Sequence, residues 1–238
     1  MAIITSFDML NLSDRILFED NHLIVVNKLS SEIVQGDKTG DKPMSDIVKA
    51  YIRQKYGKPG EAFLGVVHRL DRPVSGAVIF ARTSKSLARL NNMLREHKIE
   101  KVYWAVVKDK PANESGKLVH YLSRNEKQNK TYVNDTEAKD RLKAELEYRQ
   151  LAQSDNYFLL EVKLLTGRHH QIRAQLAHIG CPIKGDLKYG FPRSNTGGFI
   201  HLHARKIVFK HPVKDDVISL VAPTPLDPVW DYFQALLT

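Results

Sequence analysis

The chain has 238 residues, 42% of them apolar and 26% charged, which allows one sizeable core or two small ones and excludes a disordered or low-complexity protein. Its 36 Lys and Arg against 27 Asp and Glu leave a net charge of +9, which favours a polyanionic partner. One cysteine, Cys181, excludes an intramolecular disulfide and a cysteine-built zinc cage and fits a reducing compartment, and no segment approaches roughly twenty continuous apolar residues.

Met1 to Asp8 lacks a basic stretch followed by an apolar run and a cleavage site, so the expected location is cytoplasmic, without a membrane partner. Only about fifteen residues precede the first predicted strand, too few for a separate N-terminal RNA-binding domain. Ile16 to Glu19 and His22 to Val26 flank the turn dipeptide Asp20-Asn21 and read as a hairpin. Ser45 is placed to cap a helix from Asp46 to about Tyr56. Ala77 to Ala81 is a continuous apolar strand, after which Ser84 caps a helix carrying Leu87, Leu90, Met93 and Leu94 to about His97. A strand from Lys101 to Lys108 follows.

Between Pro111 and Arg149 the chain turns polar, with Lys127, Lys130, Lys139, Arg141 and Lys143 scattered among short strand-like pieces. This reads as an insertion or edge hairpin, either solvated or in contact with a nucleic acid. Tyr157 to Leu165 is a strong strand, and Thr166-Gly167 launches a helix with Ile172, Leu176 and Ile179 on its apolar side. Ile200 to His203, Lys206 to Phe209 and Val217 to Val221 read as strands and Pro228 to Leu237 as an amphipathic helix. With no repeat or linker, the reading is a single α+β domain over 1–238: a mixed, mostly antiparallel sheet flanked by helices and loops, around a central cleft.

One loop carries more chemistry than the rest. His68-Arg69-Leu70-Asp71-Arg72-Pro73-Val74-Ser75-Gly76 lies between two apolar stretches and strands a carboxylate among cations. An aspartate kept ionised at a strand-to-loop junction can serve as nucleophile or general base, although Asp beside Arg is most often only a solvated ion pair. The run is similar to the H-R-L-D-x-x-T-S-G signature of the RluA-like family of RNA pseudouridine synthases, with Val74 in place of the threonine. Three further segments match in order: Val25-Val26-Asn27-Lys28, Lys101 to Val107, and Thr166-Gly167-Arg168-His169-His170-Gln171-Ile172-Arg173. The resemblance covers residues 16 to about 222. Where the family continues Lys-Pro-x-Gly, this chain has Lys28-Leu29-Ser30-Ser31, so that turn must be made differently.

The resemblance implies an enzyme that isomerises uridines of rRNA or tRNA to pseudouridine without cofactor or metal. Asp71 would be the catalytic residue, Tyr103 would stack on the base and move a proton, and Arg173 would pair with Asp71. Arg69 is the candidate for the wedge that fills the vacancy of a flipped base, or for a phosphate contact. Arg72, Lys28, Arg168 and His170 are further candidate RNA contacts, the last two as part of a first helical turn that suits a phosphate. Lys163 and Lys184 are weaker ones. The protein is expected to act as a monomer.

Two other readings compete. His169, His170, His178, His201 and His203 could be assembled into the metal site of an RNA hydrolase, but no H-E-x-x-H or paired-Cys motif supports it. A non-catalytic RNA-binding module would have no use for Asp71, Tyr103 and Arg173 together.

Overall fold

Strand pairing begins where the sequence places its first turn. The Asp20 carboxylate accepts the amides of His22 and Leu23 at 2.7 and 3.0 Å, reversing the chain so that apolar residues on both sides meet. The computed structural model describes residues 12–37, 39–57 and 59–237. The expectations placed on Met1 to Asp8 lie outside them.

In chain order the elements are β1 (Ile16–Glu19), β2 (Leu23–Lys28), α1 (Met44–Lys55), β3 (Gly65–Val66), β4 (Ser75–Ala81), α2 (Ser84–Arg95), β5 (Glu100–Val107), β6 (Ser115–Asn125), β7 (Lys130–Asn134), β8 (Leu142–Gln153), β9 (Phe158–Leu164), α3 (Gln171–His178), β10 (Leu202–Lys210), β11 (Val217–Val221) and α4 (Pro228–Leu237). A short 3-10 turn, Leu187–Tyr189, follows α3. The chain divides into two compact units, Met1–Ile99 with Arg205–Pro223 and Glu100–Ala204 with Thr224–Thr238.

In the first unit the strand order is β1-β2-β4-β10, with β3 on β4 and β11 on β10. All seven residues of β4 are buried, and it pairs antiparallel with β2 from Leu23↔Ala81 to Lys28↔Gly76. Side chains from β2, β4, β10 and α2, including Leu23, Ile79, Leu90 and Phe209, form its core. Helix α1 starts earlier than predicted, with Pro43 as its N-cap and no cap from Ser45. The amides of Met44 and Ser45 are taken by the carbonyls of Ile33 and Val34, so a side-chain cap is unnecessary. Helix α2 is capped by Thr83, not Ser84, through a 3.1 Å bond from the Ser86 amide.

In the second unit β5, β9, β8, β6 and β7 pair antiparallel in that order. The polar stretch 111–149 therefore supplies two long paired strands and a short one. Trp104, Val106 and Leu159 pack against Trp230 and Phe233 of α4. The two predicted strands at Ile200 to His203 and Lys206 to Phe209 are one, β10, because Ala204 and Arg205 continue the extended chain between them. Among the described residues no helix is long and apolar enough to cross a membrane.

Candidate active site

Asp71 sits in the loop that leads into β4, in the first unit. The loop closes locally, with the Val74 amide on the Asp71 carbonyl at 3.0 Å, and enters β4 through Gly76 at φ 117, a conformation that favours glycine. His68 accepts the Ile79 amide on Nε2 at 3.2 Å, which pins the other end of the motif to the same strand.

Beneath the loop lies Lys28, fully buried at 0% exposure. Its Nζ donates to the carbonyls of Leu29 at 2.9 Å, Arg72 at 3.1 Å and Val74 at 2.6 Å. Three N–H groups meet three acceptors, so the ammonium is a bolt for the backbone that carries Asp71. Burial pushes its pKa down to about 7, against the partial support of Glu32 and Asp71. The expectation of Lys28 as an RNA contact is corrected: a lysine with no exposed surface and all its donors engaged cannot meet a phosphate.

The turn after Lys28 is made by Ser31 at φ 75, in the left-handed region, with its amide on the Arg72 carbonyl at 2.9 Å. Arg72 thus serves the loop with its backbone. Its guanidinium binds Asp41 at 2.6 Å and the Thr39 hydroxyl at 2.8 Å, with Asp37 at 3.7 Å. The Arg72 guanidinium thus holds Asp37, Thr39 and Asp41. Arg69 is exposed and Asp71 is half-buried.

In the second unit Tyr103 is buried on β5, opposite Val162 of β9. Lys101, two residues away on the same face, is mostly buried, and desolvation lowers its pKa. A Cβ on Gly167 would stand 3.2 Å from the Lys101 Nζ, so the glycine leaves room for that ammonium.

Arg173 is the third residue of α3, 5% exposed. Its Nε and Nη2 donate to the two carboxylate oxygens of Asp186 at 2.7 and 2.9 Å. Asp186 is 1% exposed, and this bidentate partner is a residue the sequence reading missed. Only its setting in Lys184-Gly185-Asp186, before the 3-10 turn, hinted at a buried loop acid. The Tyr189 ring lies 5.1 Å from the Arg173 guanidinium, a cation–π contact. The Tyr189 hydroxyl accepts the Thr131 amide of β7 and meets His170 Nδ1, each at 2.9 Å.

His170 departs from its expected part. It precedes α3 in a left-handed conformation, φ 51, is buried, and stacks on His169 with ring centres 3.7 Å apart. Burial first, then the neighbouring Arg173 charge, pushes its pKa down to about 2. It is therefore a neutral packing residue, not a positive side chain in a first helical turn. Arg168 is exposed and also lies before the helix; its Nε donates to the Lys143 carbonyl at 3.0 Å. Two histidines of the hydrolase reading, His201 and His203, have other contacts. His201 binds Asp227 at 2.9 Å, and His203 packs near Trp230.

The family model for RNA pseudouridylate synthase matches residues 22–178. A large ribosomal subunit pseudouridine synthase C of Rickettsia prowazekii is 32% identical over 220 residues, which are 90% of this chain and 69% of that protein. A tRNA pseudouridine synthase C of Pectobacterium carotovorum is 31% identical over 227 residues, 87% of this chain and 58% of that one. An RNA pseudouridine synthase of Synechocystis is 32% identical over 214 residues, and the chain spans 65% of its length. The structure of human RNA pseudouridylate synthase domain containing 4 superposes with a TM-score of 0.80 at 22% identity, covering 95% of this chain and 94% of the other.

Proposed function

Because the chain belongs to the RluA-like family of RNA pseudouridine synthases, we propose that it isomerises specific uridines of rRNA or tRNA to pseudouridine. The observation that carries this reading is the Asp71 loop: a half-buried carboxylate on a backbone bolted by the buried Lys28 ammonium. Fixing the reacting group before substrate arrives lowers the cost of reaching the reactive geometry.

The reaction breaks the bond between ribose and ring nitrogen, turns the uracil and rejoins it through carbon 5, so no group leaves and no external acceptor is needed. Asp71 acts as nucleophile at the anomeric carbon or as base toward the neighbouring sugar proton. The target uridine leaves the stack to reach it, with Arg69, exposed beside Asp71, as the wedge or phosphate contact. Tyr103 stacks on the base and moves a proton. Arg168 meets the RNA backbone, and the net charge of +9 supports a polyanionic substrate. In this reading the protein acts as a monomer in the cytoplasm. The single cysteine supports that compartment.

Hydrogen release from carbon 5 of labelled uridine in cognate RNA tests the assignment. Wild-type protein should release it without added metal, and a chelator should leave the rate unchanged. Asp71→Asn should lower turnover at least about a thousandfold while RNA affinity holds. Near-normal turnover in Asp71→Asn would make the assignment wrong, and metal-dependent cleavage of the RNA in place of hydrogen release would favour the hydrolase reading.

A further inference from the structure

We propose that His120, Asp135 and His178 form a binding site for a divalent metal ion of the zinc type. His120 comes from β6, Asp135 follows the end of β7, and His178 is the last residue of α3, so the fold gathers them from three separate elements of the second unit. Their ligand atoms all lie within 4.8 Å of one another. His178 Nε2 is 3.0 Å and His120 Nε2 4.0 Å from the same Asp135 Oδ1. Tetrahedral zinc with bonds near 2.0–2.1 Å holds its ligand atoms about 3.4 Å apart. The three groups bracket that spacing. Closing them on an ion takes small side-chain movements, which Asp135, 74% exposed, can make freely.

Two imidazoles and a carboxylate are a donor set that zinc accepts, with water completing the tetrahedron.

A ligating histidine needs a partner on its other nitrogen, and here that partner is Gln175. Its side chain is fully buried, with Nε2 at 2.9 Å from His120 Nδ1 and 3.3 Å from the Ala144 carbonyl. Its Oε1 has no hydrogen-bond partner. The amide is thus committed only at its nitrogen edge, and turning it over loses the bond to the Ala144 carbonyl and moves its buried N–H groups to the side where Oε1 has no partner, a cost that metal binding has to offset. In the turned position Oε1 accepts from Nδ1–H, the His120 proton moves from Nε2 to Nδ1, and the Nε2 lone pair faces Asp135 and His178. No net charge changes on His120.

A bound ion would clip β6 and the chain after β7 to α3, the helix that carries Arg173. The inference does not depend on the proposed RNA chemistry.

The test is titration of the tag-free full chain with zinc sulfate, by calorimetry and equilibrium dialysis, beside His120→Ala, His178→Ala and Asp135→Asn. The intact protein should take up one equivalent with micromolar affinity, and each variant should bind at least about tenfold more weakly. Zinc should raise the melting temperature of the intact protein and not of the variants. Cobalt(II) in place of zinc should give the visible bands of a tetrahedral site. Asp135→Asn alters only an exposed side chain and reads out affinity even if a histidine variant fails to fold. No uptake by the intact protein, or unchanged uptake by Asp135→Asn and by a variant combining His120→Ala with His178→Ala, would overturn the site.

Discussion

The loop that carries Asp71 and the helix that carries Arg173 are braced in opposite ways. In the first unit one side chain, Lys28, gathers backbone carbonyls from both sides of the loop, so its geometry depends on a single cation. In the second unit Arg173 is held by a network of side chains, Asp186, Tyr189 and His170, from the 3-10 turn, the residue before it and the approach to α3, with the Thr131 amide of β7 on the Tyr189 hydroxyl. A backbone acceptor survives any substitution of its own residue, whereas each member of a side-chain network can be removed. The first brace is therefore tolerant of sequence change everywhere except at Lys28, and the second is sensitive at each of its side chains.

The largest effect should come from breaking the network at its charged pair. Arg173→Met leaves the Asp186 carboxylate buried without its cation, at a cost of about 3–5 kcal/mol. Asp186→Leu added to Arg173→Met removes the stranded charge and should recover most of that stability in urea denaturation. Activity should not return, because Arg173 is still missing. If the double variant is no more stable than the single one, the pair does not hold this region together.

Next in size is the acid response of the second unit. His201 is fully buried, and desolvation, outweighing the support of Asp227, pushes its pKa down to about 4 from an ordinary 6.5. The depressed native value means that the unfolded chain takes up a proton first as pH falls below 6.5. Stability is thus fully present above that pH and drains away toward pH 4, by about 3 kcal/mol from His201 alone. His170, with its pKa near 2, adds to the same slope. Denaturation measured from pH 7 to 4 should show a shallower loss in His201→Gln than in wild type; an identical slope would remove these rings as its cause.

The Lys28 bolt responds at the opposite end of the scale. With a native pKa near 7 against an ordinary 10.5, the unfolded chain holds a proton between those values that the native chain has released. Stability should therefore rise with pH from about 7 to about 10.5, and Lys28→Met should abolish the rise. At pH 7 the variant should lose about 2 kcal/mol, since three carbonyls forfeit their donor while a desolvation cost disappears. Its turnover should fall more than its RNA affinity, as expected of a residue that positions Asp71 without touching RNA.

How legible these features were follows from how local they are. The β1–β2 turn, the apolar strand β4 and helix α4 were readable because each is written in consecutive residues. The ordered motifs that point to the family are consecutive residues too. Lys28 was misread as an RNA contact because a lysine's burial is decided by Leu29, Arg72 and Val74, the last two more than forty residues away, whose carbonyls carry no sequence signature. Asp186 was missed because a lone aspartate announces no partner, and His170 was given a place in a first helical turn because its left-handed backbone has no sequence signature. The Thr83 cap shows the smaller error of this kind, a shift of one residue between two hydroxyl side chains.

The smallest effect tests the one place where the first brace departs from its family. The Lys-Pro-x-Gly turn of the RluA-like proteins ends in glycine, and here that position is Ser31 at φ 75. An L residue in the left-handed region carries a penalty of roughly 1–2 kcal/mol from the contact of its Cβ with the backbone, which glycine does not have. Against this, glycine gives the unfolded chain more freedom, which costs about 0.5–1 kcal/mol. The Ser31 side chain is exposed, and the bond that matters, amide to Arg72 carbonyl at 2.9 Å, is a backbone one that glycine keeps. Ser31→Gly should therefore stabilise the protein slightly, by about 0.5–1 kcal/mol. Ser31→Ala should change little, since it keeps the Cβ and the backbone strain. A loss of stability in Ser31→Gly by equilibrium denaturation would mean that the hydroxyl supports the turn, and the brace under Asp71 would then rest on a side chain after all.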